Sequence, residues 1–149
     1  LHIHDRRQRQ MCIRDSVINL SPPLNMETRW FQNHVGYTMA KFGMSMCVLG
    51  MHSEYKRFGI AFNALWPRTA IATAAVANHL GGEVMMAKSR TPEIMADAAY
   101  IIMNRDSKKF TGNFCIDDEI LNSEGITDLV KYQVDQNLDI SDLVPDFFI

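Results

Sequence analysis

Two short apolar runs, each stopped by proline, frame a long helical stretch, and this frame limits the folds open to the chain. Val17-Ile18-Asn19-Leu20-Ser21 runs into Pro22-Pro23, and Gly59-Ile60-Ala61-Phe62-Asn63-Ala64-Leu65-Trp66 runs into Pro67. Proline has no N–H to give to a ladder, so each run ends as a strand there. The first is apolar on both faces, the pattern of a central parallel strand. Leu24 to Asn33 reads as a loop anchored by Trp30 and Phe31, and His34 to Glu54 reads as a helix. A strand, a helix and another strand make a right-handed parallel crossover unit.

The helix carries the chemistry. Tyr37-Thr38-Met39-Ala40-Lys41 sets a phenol and an ammonium four residues apart, a spacing that stacks both side chains on one helical face. An unperturbed Tyr titrates near ~10 and is a poor base at neutral pH. A neighbouring cation favours the phenolate and lowers that value, which makes proton transfer at a carbonyl or alcohol feasible. The plainer reading of the pair is an exposed Lys beside a half-buried Tyr. Val35, Met39, Phe42, Met46 and Leu49 approximate an inward stripe, and the ten methionines read as core filling. Gly36, Ala40, Gly43, Ser45 and Gly50 would allow neighbours to approach closely.

Beyond Pro67, Arg68 to His79 is an Ala- and Thr-rich loop leading into a helix, which Gly81-Gly82 breaks. Thr91 is placed to cap a helix with Pro92 in its first turn. That helix runs to about Asn104 with Ile94, Ala98, Ile101 and Ile102 inward. Gly112 to Ile116 is a third strand. Asp117-Asp118-Glu119 reads as a solvated turn, since a cation site needs more convergent oxygens. The tail is polar from Ser123 until Leu143-Val144-Pro145-Asp146-Phe147-Phe148-Ile149, an apolar group that should dock on a core or partner surface.

Net charge is −2 with both signs interspersed, so no nucleic-acid footprint is present. No apolar run is long enough to span a bilayer. Cys12, Cys47 and Cys115 show no C-x-x-C and no metal-ligand spacing. No metal is therefore expected, and an intracellular, cytoplasmic setting is, with peroxisome or mitochondrion open if the source is eukaryotic. Leu1 to Ser16 is basic and lacks apolar periodicity. Met11-Cys12-Ile13-Arg14-Asp15-Ser16 resembles the translation of a transposon end used in sequencing libraries, ATG TGT ATA AGA GAC AG. Residues 1–16 are thus expected to be non-native or disordered, and 17–149 to be the C-terminal part of a larger domain. A native transcript encoding Met11 to Ser16 would end that idea.

The strand ending Asn19-Leu20-Ser21, the Tyr37-x-x-x-Lys41 helix and the strand ending Asn63-Ala64-Leu65-Trp66-Pro67 together resemble the short-chain dehydrogenase/reductase superfamily. Gly43-Met44-Ser45-Met46, Thr69-Ala70-Ile71, Ala96-Asp97-Ala98-Ala99-Tyr100, Phe110-Thr111-Gly112-Asn113-Phe114 and Pro145-Asp146-Phe147-Phe148 extend the likeness over nearly all of Val17 to Ile149.

This resemblance implies an α/β, doubly wound, Rossmann-like fold, with this chain as its C-terminal half. It implies an NAD(P)-dependent oxidoreductase acting on a carbonyl or secondary alcohol, fatty-acyl or steroid-like, with NADP or NAD as cofactor. It also implies a homo-oligomeric parent enzyme. By position, Tyr37 would be the acid/base, and Lys41 would hold the nicotinamide ribose and lower the phenol's pKa. The loop after Pro67 would face the carboxamide, with Ile71 and Thr73 as candidates; Thr73 reads equally as a helix-start hydroxyl. The superfamily has Pro-Gly where this chain has Pro67-Arg68. Its substrate-orienting Ser commonly follows another Ser, whereas Ser21-Pro22 stands here, so either Ser21 takes the role or Pro22 has replaced it. That departure keeps a second reading open, a degenerate, non-catalytic binding protein. No G-x-G-x-x-G and no T-G-x-x-x-G-x-G occurs, so the pyrophosphate grip of the family is missing.

Overall fold

A computed structural model describes residues 15–79 and 81–149. The adaptor-like reading of the first residues therefore falls almost wholly outside the described part. Among the described residues the chain forms a three-stranded sheet and five α-helices. In chain order these are β1 (Ser16–Asn19), α1 (Val35–Tyr55), β2 (Ala61–Trp66), α2 (Ala74–His79), α3 (Gly82–Ala87), α4 (Glu93–Asn104), β3 (Phe114–Ile116) and α5 (Asp117–Ser123). All three strands run parallel in the order β1-β2-β3, with Ile18 opposite Asn63 and Leu65 opposite Cys115. The strand–helix–strand expectation holds. β1 begins at Ser16, and it forms one edge of the described sheet, with Val17 and Leu20 exposed.

Successive side chains of a strand point to opposite faces, and β2 uses both. Leu65 and Cys115 meet Ala98, Ile102 and Ile120 of α4 and α5 on one face. Trp66 and Ile116 meet Phe42 of α1, Trp30 and Phe148 on the other. Trp30 and the closing apolar group thus anchor in the core as expected. Ile94, Ala98 and Ile102 are fully buried, and Ile101 packs at the margin. Thr91 makes no capping bond to a backbone N–H. The Thr91 hydroxyl near it holds the Glu93 carboxyl below its usual range.

The stripe expected on α1 is corrected. Its buried residues are Thr38, Phe42, Ser45 and Val48, while Val35, Met39, Met46 and Leu49 are exposed. The reason is polar. Thr38 Oγ1 donates to Trp30 O, and Ser45 Oγ donates to Pro22 O at 2.6 Å. Small hydroxyl side chains bring the helix axis close to the loop and satisfy its carbonyls. The methionines of α1 therefore lie outside the core, and nothing approaches within 4 Å of an ideal Cβ at Gly36, Gly43 or Gly50.

The sheet is stitched to the loop before β3 by a buried asparagine. Asn63 Nδ2 donates to Phe110 O at 3.0 Å, and Asn63 Oδ1 accepts from Asn113 N at 3.0 Å and Asn113 Nδ2 at 2.9 Å. Gly112 sits at the corner with φ +78, where a Cβ would lie 2.6 Å from His52 Nδ1. Gly112→Ala combines left-handed strain with overpacking and is expected to cost about 2 kcal/mol. Gly36→Ala on exposed α1 should be neutral or stabilising by about 0.5–1 kcal/mol. Thermal melts of both variants check the contrast; equal midpoints would refute it.

Asp117-Asp118-Glu119 forms the first turn of α5 and not a solvated turn. Asp117 is fully buried and accepts from Arg68 N at 2.9 Å and Asp118 N at 2.8 Å. Burial pushes its carboxyl up while those N–H groups oppose. Arg68 Nε pairs with Asp118 at 2.9 Å, and the buried Arg90 approaches the same carboxylate at 3.8 Å. Three acids in sequence carried no sign that two arginines would meet them. They tie the loop after β2 to the end of β3.

Candidate active site

In open α/β sheets, ligands bind beyond the carboxyl ends of the strands. Here those ends are Ser21 after β1, Pro67 after β2 and Asp117 after β3, and α1 is fastened across the first of them. Asn19 Nδ2 donates to Met44 O at 3.2 Å. Lys41 Nζ donates to Leu20 O at 3.1 Å and stands 5.1 Å from the centre of the Trp66 ring. Lys41 thus joins the ends of β1 and β2. An ammonium has three donors, so two remain beyond the one described bond.

Tyr37 lies one turn before Lys41, about half exposed. Its ring stacks on Phe148, with centroids 5.9 Å apart and planes inclined by 9°, and Phe147 lies 5.9 Å away on a tilt. The phenol sits above its ordinary value, first through burial and second through the Asp146 carboxylate. The expected lowering by Lys41 is therefore reversed in this structure. The cation is engaged with a carbonyl and an indole face, while an acid faces the phenol.

Tyr37 borders a cavity of about 630 Å³ lined mostly by apolar groups, among them Trp30, Ala70, Val76, Met85 and Phe147, together with His34 and Asp146. A shallower hollow of about 740 Å³ lies at the opposite ends of β1 and β2, beside Val17, Tyr55 and Phe62, and contains none of the expected site residues. Ser21 is fully buried, its Oγ has no partner, and it does not line the Tyr37 cavity. Pro67 is buried beside Trp66. Ile71 packs against Ile94, Leu121, Leu129 and Tyr132. Thr73 is exposed immediately before α2, with its carbonyl accepting from Ala77 N at 3.0 Å. Lys41 thus reaches the chain next to Ser21 and Pro67, at Leu20 O and the Trp66 ring, while Tyr37 borders the cavity, Ser21 lies off it and Ile71 packs into another cluster.

Sequence reasoning missed His34 and the role of the last segment. Val144 O accepts from Ala70 N at 2.9 Å, Asp146 N donates to Arg68 O at 3.0 Å, and Phe147 O accepts from Trp66 Nε1 at 2.8 Å. These bonds seat Asp146 at the cavity wall. Burial pushes its carboxyl up to about 6, Asp117 adds to the rise, and Phe147 N–H, Trp66 and Lys41 oppose it. The native state binds more protons than the unfolded chain between the ordinary carboxyl value and about 6, so this group's contribution falls as pH rises through that window. Asp146→Asn is expected to raise the melting midpoint more at pH 8 than at pH 4. Equal gains at both values would refute the assignment.

A solved protein from Xanthomonas campestris superposes with a TM-score of 0.85 at 44% identity, covering 94% of this chain and 50% of that one. A short chain dehydrogenase from Mycobacterium thermoresistibile superposes with a TM-score of 0.79 at 43% identity, covering 90% of this chain and 46% of that one. The α/β fold is that of short-chain dehydrogenases over about half their length. The particular likeness is to hydroxysteroid dehydrogenase-like protein 2. The chain is 56% identical to the Xenopus tropicalis protein, 53% to that of Danio rerio and 50% to that of Homo sapiens, each over 133 residues and 89% of this chain. It spans about 30% of the length of these relatives. No family model matches the chain. No helix among the described residues is long and apolar enough to cross a membrane.

Proposed function

We propose that the whole protein is an NAD(P)-dependent oxidoreductase of the short-chain dehydrogenase type. Its substrate is a carbonyl or secondary alcohol, of apolar, fatty-acyl or steroid-like character, and this chain is the C-terminal part of the catalytic domain. One observation carries the reading: Tyr37 and Lys41 share a face of α1 at the carboxyl ends of β1 and β2, with the phenol at the wall of an apolar cavity. A cavity of this volume suits a small organic substrate.

The residues present fit the nicotinamide end of the cofactor. Lys41 has donors to spare for ribose hydroxyls, and in the loop after Pro67 the exposed Thr73 would meet the carboxamide, whereas Ile71 would first have to leave the cluster it packs in. Nothing here fits the pyrophosphate, whose loop the sequence lacks. When bound, the cofactor supplies or accepts the hydride. Tyr37 does the proton work. A phenol held above its ordinary value is protonated at neutral pH and can donate to a carbonyl oxygen during reduction. Ser21 supplies the polarising hydroxyl if the buried Oγ is uncovered on binding.

The buried, unpartnered Ser21 Oγ beside Pro22 also favours a second reading, a dehydrogenase-like protein that binds without turnover. Loss of one polarising donor can cost about 10²-fold or more in rate. Cofactor oxidation by the full-length protein across a panel of carbonyls, for wild type and Tyr37→Phe, separates the two. Turnover that depends on Tyr37 supports the enzyme; equal rates for both proteins exclude Tyr37 as the acid.

A further inference from the structure

The cavity wall beside Tyr37 holds an acid that the proposed proton transfer does not use. Asp146 borders the cavity together with Tyr37, His34 and Phe147. Its position is fixed from both sides. The Arg68 carbonyl takes its N–H at 3.0 Å, and the neighbouring Phe147 carbonyl is held by the Trp66 indole at 2.8 Å. The groups facing it are His34 just before α1, Tyr37 and Lys41 from α1, the backbone of Arg68 after β2, and Asp117 from the start of α5. Lys41, which lies outside the described cavity lining, opposes the rise of the carboxyl, and its ammonium donates to Leu20 O. Arg68 spends its guanidinium on Asp118 and Glu119.

We propose that Asp146 is a specificity-determining residue that makes the Tyr37 cavity select neutral carbonyl substrates over carboxylate-bearing ones. This rests on the reading of the cavity as the substrate site. The argument is electrostatic. A carboxylate brought into an apolar cavity loses hydration and meets a fixed like charge across a low dielectric, with no Lys or Arg among the described lining residues. Discrimination then comes from repulsion of the wrong ligand as well as attraction of the right one. Neutral ketones, esters and sterol-like alcohols pay neither cost. The carboxyl titrates at about 6, so the exclusion strengthens as pH rises through that value and relaxes below it.

The test uses para-acetylbenzoate and its methyl ester with the full-length protein. The readout is the ratio of kcat/KM for ester over acid. Wild type should favour the ester by on the order of tenfold or more at pH 8, with the ratio shrinking below about pH 6. Asp146→Asn should bring the pH 8 ratio to within about threefold of unity and flatten its pH dependence. Flattening assigns the titration to this carboxyl and not to the His34 imidazole. An unchanged ratio and profile in Asp146→Asn overturns the proposal. Calorimetric titration of both probes into Tyr37→Phe separates this from the catalytic reading. Charge discrimination in binding without Tyr37-dependent turnover sinks the catalytic role alone. Tyr37-dependent turnover with an Asp146-independent ratio sinks this one alone.

Discussion

Tyr37→Phe lowers kcat/KM for carbonyl reduction by about 10²–10⁴-fold in the full-length protein, the range a positioned general acid contributes. The substitution removes one oxygen and keeps the ring, so the stack on Phe148 and the packing against Phe147 survive. The loss should appear in kcat with little change in KM, because the proton moves only in the transition state. The pH profile carries a second signature. Burial and Asp146 hold the phenol above its ordinary value, so the donor form persists through neutral pH. Reduction should decline only at alkaline pH, as the phenol ionises. Cofactor oxidation from pH 6 to 10 measures both. A Tyr37→Phe enzyme within threefold of wild type would remove the phenol from the mechanism. A wild-type rate that climbs steeply between pH 6 and 8 would show that the phenolate is the working form.

Much of this site was legible because its signals are local. Proline ends the strands, helical spacing pairs Tyr37 with Lys41, and the Asn-Leu-Ser and Asn-Ala-Leu-Trp-Pro endings fix where α1 must cross. What failed depends on contacts far apart in the chain. The inward face of α1 is set by Thr38 and Ser45 reaching loop carbonyls, and an apolar count along one helix cannot see such acceptors. Asp117 reads as a surface acid until the Arg68 N–H, 49 residues away, is placed on it. The phenol's shift was expected downward from the one charge visible on its own helix. The shift is upward first because the phenol is partly buried, and the charge that adds to it, Asp146, comes from the other end of the chain. A pKa is a sum over neighbours in space, so sequence spacing supplies only the local member of that sum.

Phe148→Ala is expected to destabilise the protein by about 3–5 kcal/mol, the usual cost of emptying a buried phenylalanine site. The ring is 5% exposed. It touches Trp66 at 5.9 Å, Trp30 at 5.7 Å, Phe42 at 5.0 Å and Tyr37 at 5.9 Å between centroids. It therefore packs together the end of β2, the loop before α1 and α1 itself. Phe148 also has φ +80, a conformation that a bulky residue holds only when its surroundings enforce it. The strain is of order 1–3 kcal/mol, so burial must outweigh it. Alanine keeps the strained backbone and loses the contacts, whereas glycine loses the contacts and relieves the strain. Phe148→Gly should therefore be less damaging than Phe148→Ala, the reverse of the usual order. Tyr100→Ala, with its ring 70% exposed on α4, should stay within about 0.5 kcal/mol of wild type. Thermal or denaturant melts rank the three. If Phe148→Ala melts with wild type, the aromatic cluster does not hold the tail over Tyr37. The cavity wall that places Asp146 beside the phenol would then lose its support.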